Sequence, residues 1–179
     1  MTNDPARLQR DATQRTSQSY HKRKLPHIQA VGATIFVTFV TKQRWVLPEV
    51  VRQLVLDACV RDHGSKYMLH GCVVMPDHVH LILSPLSDSA GDVYSLSEIM
   101  NGIKGASAHA VNRAIVRKGA VWQPERFDHI LRSDESARSK VEYVCANPVR
   151  AGLVSSEGEY SWLWREWIEG VDQSESPTM

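Results

Sequence analysis

The segment that most constrains the fold is the turn Met75-Pro76-Asp77 and the two runs it joins. Tyr67 to Val74 reads as one strand, and His78-Val79-His80-Leu81-Ile82-Leu83 as the next, so an antiparallel hairpin is predicted. Side chains at i and i+2 leave the same face of a strand. His78, His80 and Ile82 therefore point one way, and Val79, Leu81 and Leu83 the other. Two imidazoles side by side on a rigid strand make half of a divalent metal site. A strand that needed only a core would not carry histidine at both positions.

Elements predicted on either side of the hairpin complete a domain. Ala33 to Val40 is β-branched and aromatic and reads as a first strand. Pro48-Glu49 opens a helix with Val51, Leu54, Val55 and Ala58 on one face, ended by Gly64. Ser95-Leu96-Ser97-Glu98 is a capping box that starts a second helix, carrying Ile99, Ile103, Ala110 and Ala114 and ending by Gly119. Phe127 to Leu131 reads as a fourth strand. Ser133 caps a last helix, with Asp134 and Glu135 in its first turn. That helix is expected to end at Asn147, because Pro148 disfavours helical geometry in the residue before it.

The order β-α-β-β-α-β-α predicts an α+β, ferredoxin-like split βαβ fold. One four-stranded antiparallel sheet has helices on one face, and the histidine face is left open for a substrate strand, with the last helix added. Residues 1–26 read as a flexible basic arm, 27–156 as the folded domain, and 157–179 as a C-terminal extension with a disordered end. Trp162, Trp164 and Trp167 are expected to pack a short C-terminal helix onto the body.

With 179 residues, 42% hydrophobic and 23% charged, the chain has the composition of a globular domain. No apolar run approaches the roughly 20 residues needed to span a bilayer, and the N-terminus lacks a secretory hydrophobic segment. A cytoplasmic location without membrane attachment is the expectation. Cys59, Cys72 and Cys145 are scattered in apolar contexts, which predicts buried free thiols. Charge is uneven: residues 1–44 hold eight Lys/Arg against two Asp, and the remainder thirteen against eighteen acids. A basic arm on a mildly acidic body suits a polyanion, with Lys22-Arg23-Lys24 its densest point.

The last helix carries the second informative pattern. At 100° per residue, Ala137, Val141, Val144 and Cys145 share the face that packs on the sheet. Tyr143 falls opposite, with Ser136, Ser139, Lys140 and Asn147. Asn147 is a helical neighbour of Tyr143 at i+4, and its amide oxygen could complete a two-histidine metal site. A divalent cation on His78, His80 and Asn147 could bind a scissile phosphate, and Tyr143 could attack it in line. Two imidazoles, an amide oxygen and open positions suit Mg²⁺ or Mn²⁺.

These residues resemble a known family. Leu25-Pro26-His27, Ala33 to Phe39, Val74 to His80, Val121-Trp122-Gln123, Phe127-Asp128-His129 and Tyr143 through Val154 are similar to the REP-associated tyrosine transposases. That group lies within the single-tyrosine HUH (His-hydrophobic-His) endonucleases. The resemblance covers about Leu25 to Val154, and His78-Val79-His80 followed by Tyr143-x-x-x-Asn147-Pro148-Val149-Arg150-Ala151-Gly152-Leu153-Val154 is its most specific part. It implies a metal-dependent transposase that cleaves single-stranded DNA near palindromic hairpins, leaving a 5′-phosphotyrosine and a free 3′-hydroxyl. By position it implies His78 and His80 as metal ligands, Tyr143 as nucleophile and Asn147 as third ligand, a place that glutamine or an acid fills in relatives. Asp77 stands where asparagine is common, and Tyr160-Ser161-Trp162-Leu163 lacks the usual proline and serines.

Further DNA contacts are expected from Lys22, Arg23, Lys24, Lys104 and Arg150. Gly102-Ile103-Lys104-Gly105 allows either a close backbone approach or a helix packed through its small residues. Trp122 is either a base-stacking ring or a buried anchor. Asp128 and His129 alternate, so at most one can stand beside the metal. Monomer and homodimer stay open. Two other readings share these features: a relaxase- or replication-initiator-like nickase that does not transfer strands, and a non-catalytic ferredoxin-like nucleic-acid binder.

Overall fold

The computed structural model describes residues 33–131 and 137–166. The elements are β1 (Ile35–Val40), α1 (Glu49–Val60), β2 (Tyr67–Val74), β3 (His78–Pro85), α2 (Leu96–Ala114), β4 (Phe127–Ile130), α3 (Ala137–Cys145), α4 (Asn147–Arg150) and β5 (Leu163–Arg165). They build one sheet in the order β4-β1-β3-β2-β5, antiparallel throughout. The basic arm, Ser133 to Glu135, and Trp167 onward lie outside the described residues. Among the described residues no helix is long and apolar enough to cross a membrane.

Period-two alternation sorts β1 and β3 as the sequence predicts. Ile35, Val37, Phe39, Val79, Leu81 and Leu83 meet Val51, Val55 and Cys59 of α1 and Ile99, Met100, Ile103 and Val111 of α2 in the main core. Ser95 accepts from the Glu98 backbone while the Glu98 carboxylate accepts from the Ser95 backbone, so the capping box forms as expected. All three cysteines are buried and free.

The C-terminal segment departs from expectation. Instead of a helix, Leu163–Arg165 adds a fifth strand along Gly71–Val73 of β2. A bare β2 edge would leave a row of backbone groups unpaired, and pairing removes that liability. The preceding residues anchor the strand: the buried Tyr160 hydroxyl donates to the Val74 carbonyl at 2.7 Å, and the Arg52 guanidinium lies 4.7 Å from the Trp162 ring centre. The folded unit therefore continues past residue 156.

The histidine face is only half open. Val141, Val144 and Cys145 of α3 pack on Val73, Met75 and Ile82, forming a second core on the side opposite α1 and α2. A bulge at His70 makes this possible, because the β2–β3 register shifts between Leu69 and Gly71. The shift turns Gly71 and Val73 toward α3 while Leu69, Cys72 and Val74 stay in the main core. A Cβ on Gly71 would stand 2.9 Å from Cγ1 of Val141, so the helix seats where β2 has no side chain. Toward β1 and β4, α3 reaches Phe36 through Lys140, and among the described residues Phe127 of β4 stays exposed.

Candidate active site

The Met75–Asp77 turn is clamped from three sides. Leu47 N–H donates to the Pro76 carbonyl at 2.7 Å, Thr41 N–H to the Asp77 carbonyl at 2.9 Å, and Met75 N–H to the His78 carbonyl at 2.8 Å. Asp77 is thereby fixed beside His78, and its Oδ1 lies 2.6 Å from His78 Nδ1. A carboxylate only accepts, so His78 Nδ1 donates, which in the neutral ring leaves the lone pair on Nε2. Thr38 of β1, directly across from His80, places Oγ1 2.8 Å from His80 Nδ1. The two Nε2 atoms converge at 3.1 Å. With Nδ1 of each ring held by an oxygen, both Nε2 lone pairs can face one point, as ligating histidines with fixed outer partners do. This donor set fits a divalent cation.

Electrostatics favours the ligand form of His80. Burial, followed by His78 and Lys140, pushes its pKa down to about 4, so the ring is neutral near pH 7. Burial opposes ionisation of Asp77, but hydrogen bonds to His78 and Arg44 outweigh it and hold the carboxyl below its usual range. Arg44 reaches Asp77 Oδ2 at 3.1 Å from a left-handed backbone, φ 57°, next to Gln43 at φ 58°. Such geometry costs non-glycine residues about 1–2 kcal/mol each. The ion pair is exposed and worth little by itself, so its effect is to orient Asp77.

Tyr143 projects from α3 on its polar side, as the helical arithmetic predicts, and is 51% exposed. Its ring is bracketed by two cations. Arg150 Cζ lies 4.4 Å from the ring centre and Lys140 Nζ 5.5 Å. Hydrogen bonding from Arg150, then its charge, with Lys140 adding, lowers the phenol pKa below its ordinary value. Lys140 also lies 4.9 Å from the ring centre of Phe36, which stacks on His80 at 5.5 Å. One ammonium thus spans from the tyrosine to the neighbour of the histidine pair. Lys140 stood on the predicted polar face without a role; its i, i+3 spacing from Tyr143 was the available signal.

Other expected contacts are placed less simply. Helix α3 ends at Cys145, and Asn147 begins α4, with Pro148 in the first turn, where its missing N–H costs nothing. Ala146 joins α3 to α4 with a helical backbone, its N–H donating to the Glu142 carbonyl at 3.0 Å, so the turn that carries Asn147 follows directly on that of Tyr143. Among the described residues no third His, Cys, Asp or Glu joins the histidine pair. Arg150 is placed on the tyrosine. Lys104 lies on α2, and its ammonium donates to the carbonyls of Gln123 at 2.6 Å and Pro124 at 3.2 Å. Its ammonium holds that loop. Gly102 and Gly105 have nothing within 4 Å of an added Cβ, so they do not mark tight packing.

Trp122 is a buried anchor, its indole donating to Ser107 Oγ at 3.0 Å. Asp128 shares the α1/α2 face with its partner Val37 and pairs with Arg126 Nε at 3.7 Å, whereas His129 lies across from Phe36 on the histidine face. Lys22, Arg23 and Lys24 lie outside the described residues.

A family model of IS200-like transposases matches residues 32–146, from β1 through α3 and including His78, His80 and Tyr143. The chain belongs to the IS200-like transposase family. By that membership it is an enzyme that cleaves and rejoins DNA. It is 25% identical over 143 residues to the REP-associated tyrosine transposase of Escherichia coli (strain K12), covering 78% of this chain and 81% of that one. A solved structure of a REP-associated tyrosine transposase bound to a REP hairpin is similar at a TM-score of 0.54 and 25% identity, over 74% of this chain and 76% of the other. The five-stranded α+β architecture is thus that of a transposase.

Proposed function

We propose that this family member is a metal-dependent single-stranded DNA endonuclease and strand transferase that acts beside palindromic hairpins through Tyr143. The observation that carries the reading is the convergence of His78 and His80 at Nε2, with Lys140 reaching from that pair's neighbour Phe36 to the Tyr143 ring. Similarity to a transposase bound to a REP hairpin supports DNA hairpins as the substrate.

His78 and His80, with Asn147 as third ligand, would hold Mg²⁺ or Mn²⁺. The bound ion supplies charge neutralisation to the phosphate. Tyr143 Oη attacks the phosphorus and the P–O3′ bond breaks. The phenol loses its proton, and the departing 3′-oxygen takes one up as a hydroxyl. The product is a 5′-phosphotyrosine. A DNA 3′-hydroxyl reverses the step, forming a new phosphodiester and returning the phenol. Arg150 and Lys140 stabilise the phenolate at Oη before attack and after release.

Incubating the protein with a labelled hairpin oligonucleotide and Mn²⁺ tests this. Tyr143→Phe is expected to abolish the covalent adduct while hairpin binding persists; adducts in that variant overturn the nucleophile. His78→Ala is expected to remove metal-dependent cleavage, and unchanged cleavage overturns the metal site. Joined products separate strand transfer from simple nicking.

A further inference from the structure

A row of rings crosses the histidine face from β3 to β4. His78 meets His80 edge-on at 4.7 Å, His80 stacks on Phe36 at 5.5 Å, and Phe36 meets Phe127 edge-on at 6.4 Å. Phe127, on the edge strand β4, is 62% exposed. The register explains its position. Thr38 is the partner of His80 on one side and of Phe127 on the other, so Phe127, Thr38 and His80 form one line across the sheet. Two strand spacings put Phe127 about 10 Å from His80.

We infer that Phe127 is a stacking platform for one unpaired base of the DNA strand that enters the Tyr143 site. The inference rests on the reading of that site as a single-stranded DNA nuclease and adds where the strand runs. Core packing among the described residues does not explain Phe127, because its side chain stays mostly exposed on the edge strand. A Phe36 base contact is disfavoured, since His80 stacks on that ring and Lys140 sits against it. The surroundings suit a nucleotide: the ammonium of Lys140 lies against Phe36 and the guanidinium of Arg150 against Tyr143, cations of the kind that attract phosphate, and the exposed Phe127 ring offers a π face to a base. Every base has such a face, so the platform orients the strand without choosing its sequence.

The test measures equilibrium binding in the Tyr143→Phe background, so covalent chemistry does not enter. The probe is a palindromic hairpin oligonucleotide with oligothymidine flanks on both sides, and an abasic site is moved through the flanks. Phe127→Ala is expected to weaken binding about ten-fold, and Phe127→Trp to retain it. At one flank position the abasic site should weaken binding to the Phe127-containing protein by a similar factor and have no effect in Phe127→Ala. Unchanged affinity in Phe127→Ala overturns the platform, as does an abasic penalty that is the same in both proteins at every position. Loss of thermal stability with DNA affinity retained also overturns it, because the ring would then be covered by protein. Absence of a covalent adduct with Tyr143 in place would instead count against the phosphotyrosine reading, a separate result.

Discussion

The guanidinium of Arg150 lies 4.4 Å from the ring centre of Tyr143, although the two residues belong to different helices. Ala146 between them keeps a helical backbone, and at i+7, two turns on, the long Arg150 side chain reaches back to the phenol ring. Arg150 stabilises the phenolate, so removing it returns the pKa upward toward the ordinary value near 10. Arg150→Ala is therefore expected to shift the pH profile of adduct formation to higher pH and to lower the rate several-fold at pH 7. Arg150→Lys should recover part of the shift. Initial rates of adduct formation across a pH series check both.

Asp77 fixes His78 through a 2.6 Å hydrogen bond to Nδ1. Losing such an outer partner commonly costs 10- to 100-fold in metal affinity. Asp77→Ala is expected to weaken Mn²⁺ binding by about that factor, read by calorimetry. Asp77→Asn retains an oxygen acceptor and should cost less.

Gly71 allows α3 to seat on β2. Gly71→Ala places a Cβ 2.9 Å from Val141 Cγ1, and overpacking of this kind costs about 1–3 kcal/mol. The helix must shift to relieve it, carrying Tyr143 with it. Denaturant unfolding should show the loss in stability, and adduct formation should fall while Mn²⁺ binding at the histidines changes less.

His80 predicts how the metal-free protein responds to acid. Its folded-state pKa of about 4 lies below the ordinary value near 6.5. Above pH 6.5 both folded and unfolded rings are neutral, and the group has no effect on stability. As pH falls from 6.5 to 4, the unfolded chain binds a proton that the folded chain refuses, so stability drops by roughly 2–3 kcal/mol and then levels off. Chemical denaturation across this window checks the sign, and His80→Ala should flatten the dependence. Saturating Mn²⁺ should raise the melting temperature at pH 7, by an increment that His80→Ala removes.

Sequence legibility followed the range of the interactions. Alternation in β1 and β3 assigned His78 and His80 to one face, and helical spacing placed Tyr143 and Lys140 on the polar side of α3. The order of strands and helices, the capping box at Ser95, the hairpin and the buried cysteines were equally readable. Each depends on residues within a turn or two of one another.

The strand pairing of Leu163–Arg165 and the carbonyl contacts of Lys104 were not readable in the same way. Lys104 looked like a free cation because nothing local predicted that the carbonyls of Gln123 and Pro124 would arrive beside it. No local pattern around Phe127 shows that strand register aligns it with Thr38 and His80.

What the amino-acid sequence alone determined was the chemistry available on each element: paired imidazoles on a strand, and a tyrosine with a lysine on a helix. Backbone geometry sets those periodicities before any element meets another. Only the tertiary structure decided that the helix sits on the histidine face, through the bulge at His70 and the bare backbone of Gly71, so that Lys140 spans the two. Docking of that kind is set by shape and register between residues some seventy positions apart, and no local pattern encodes it.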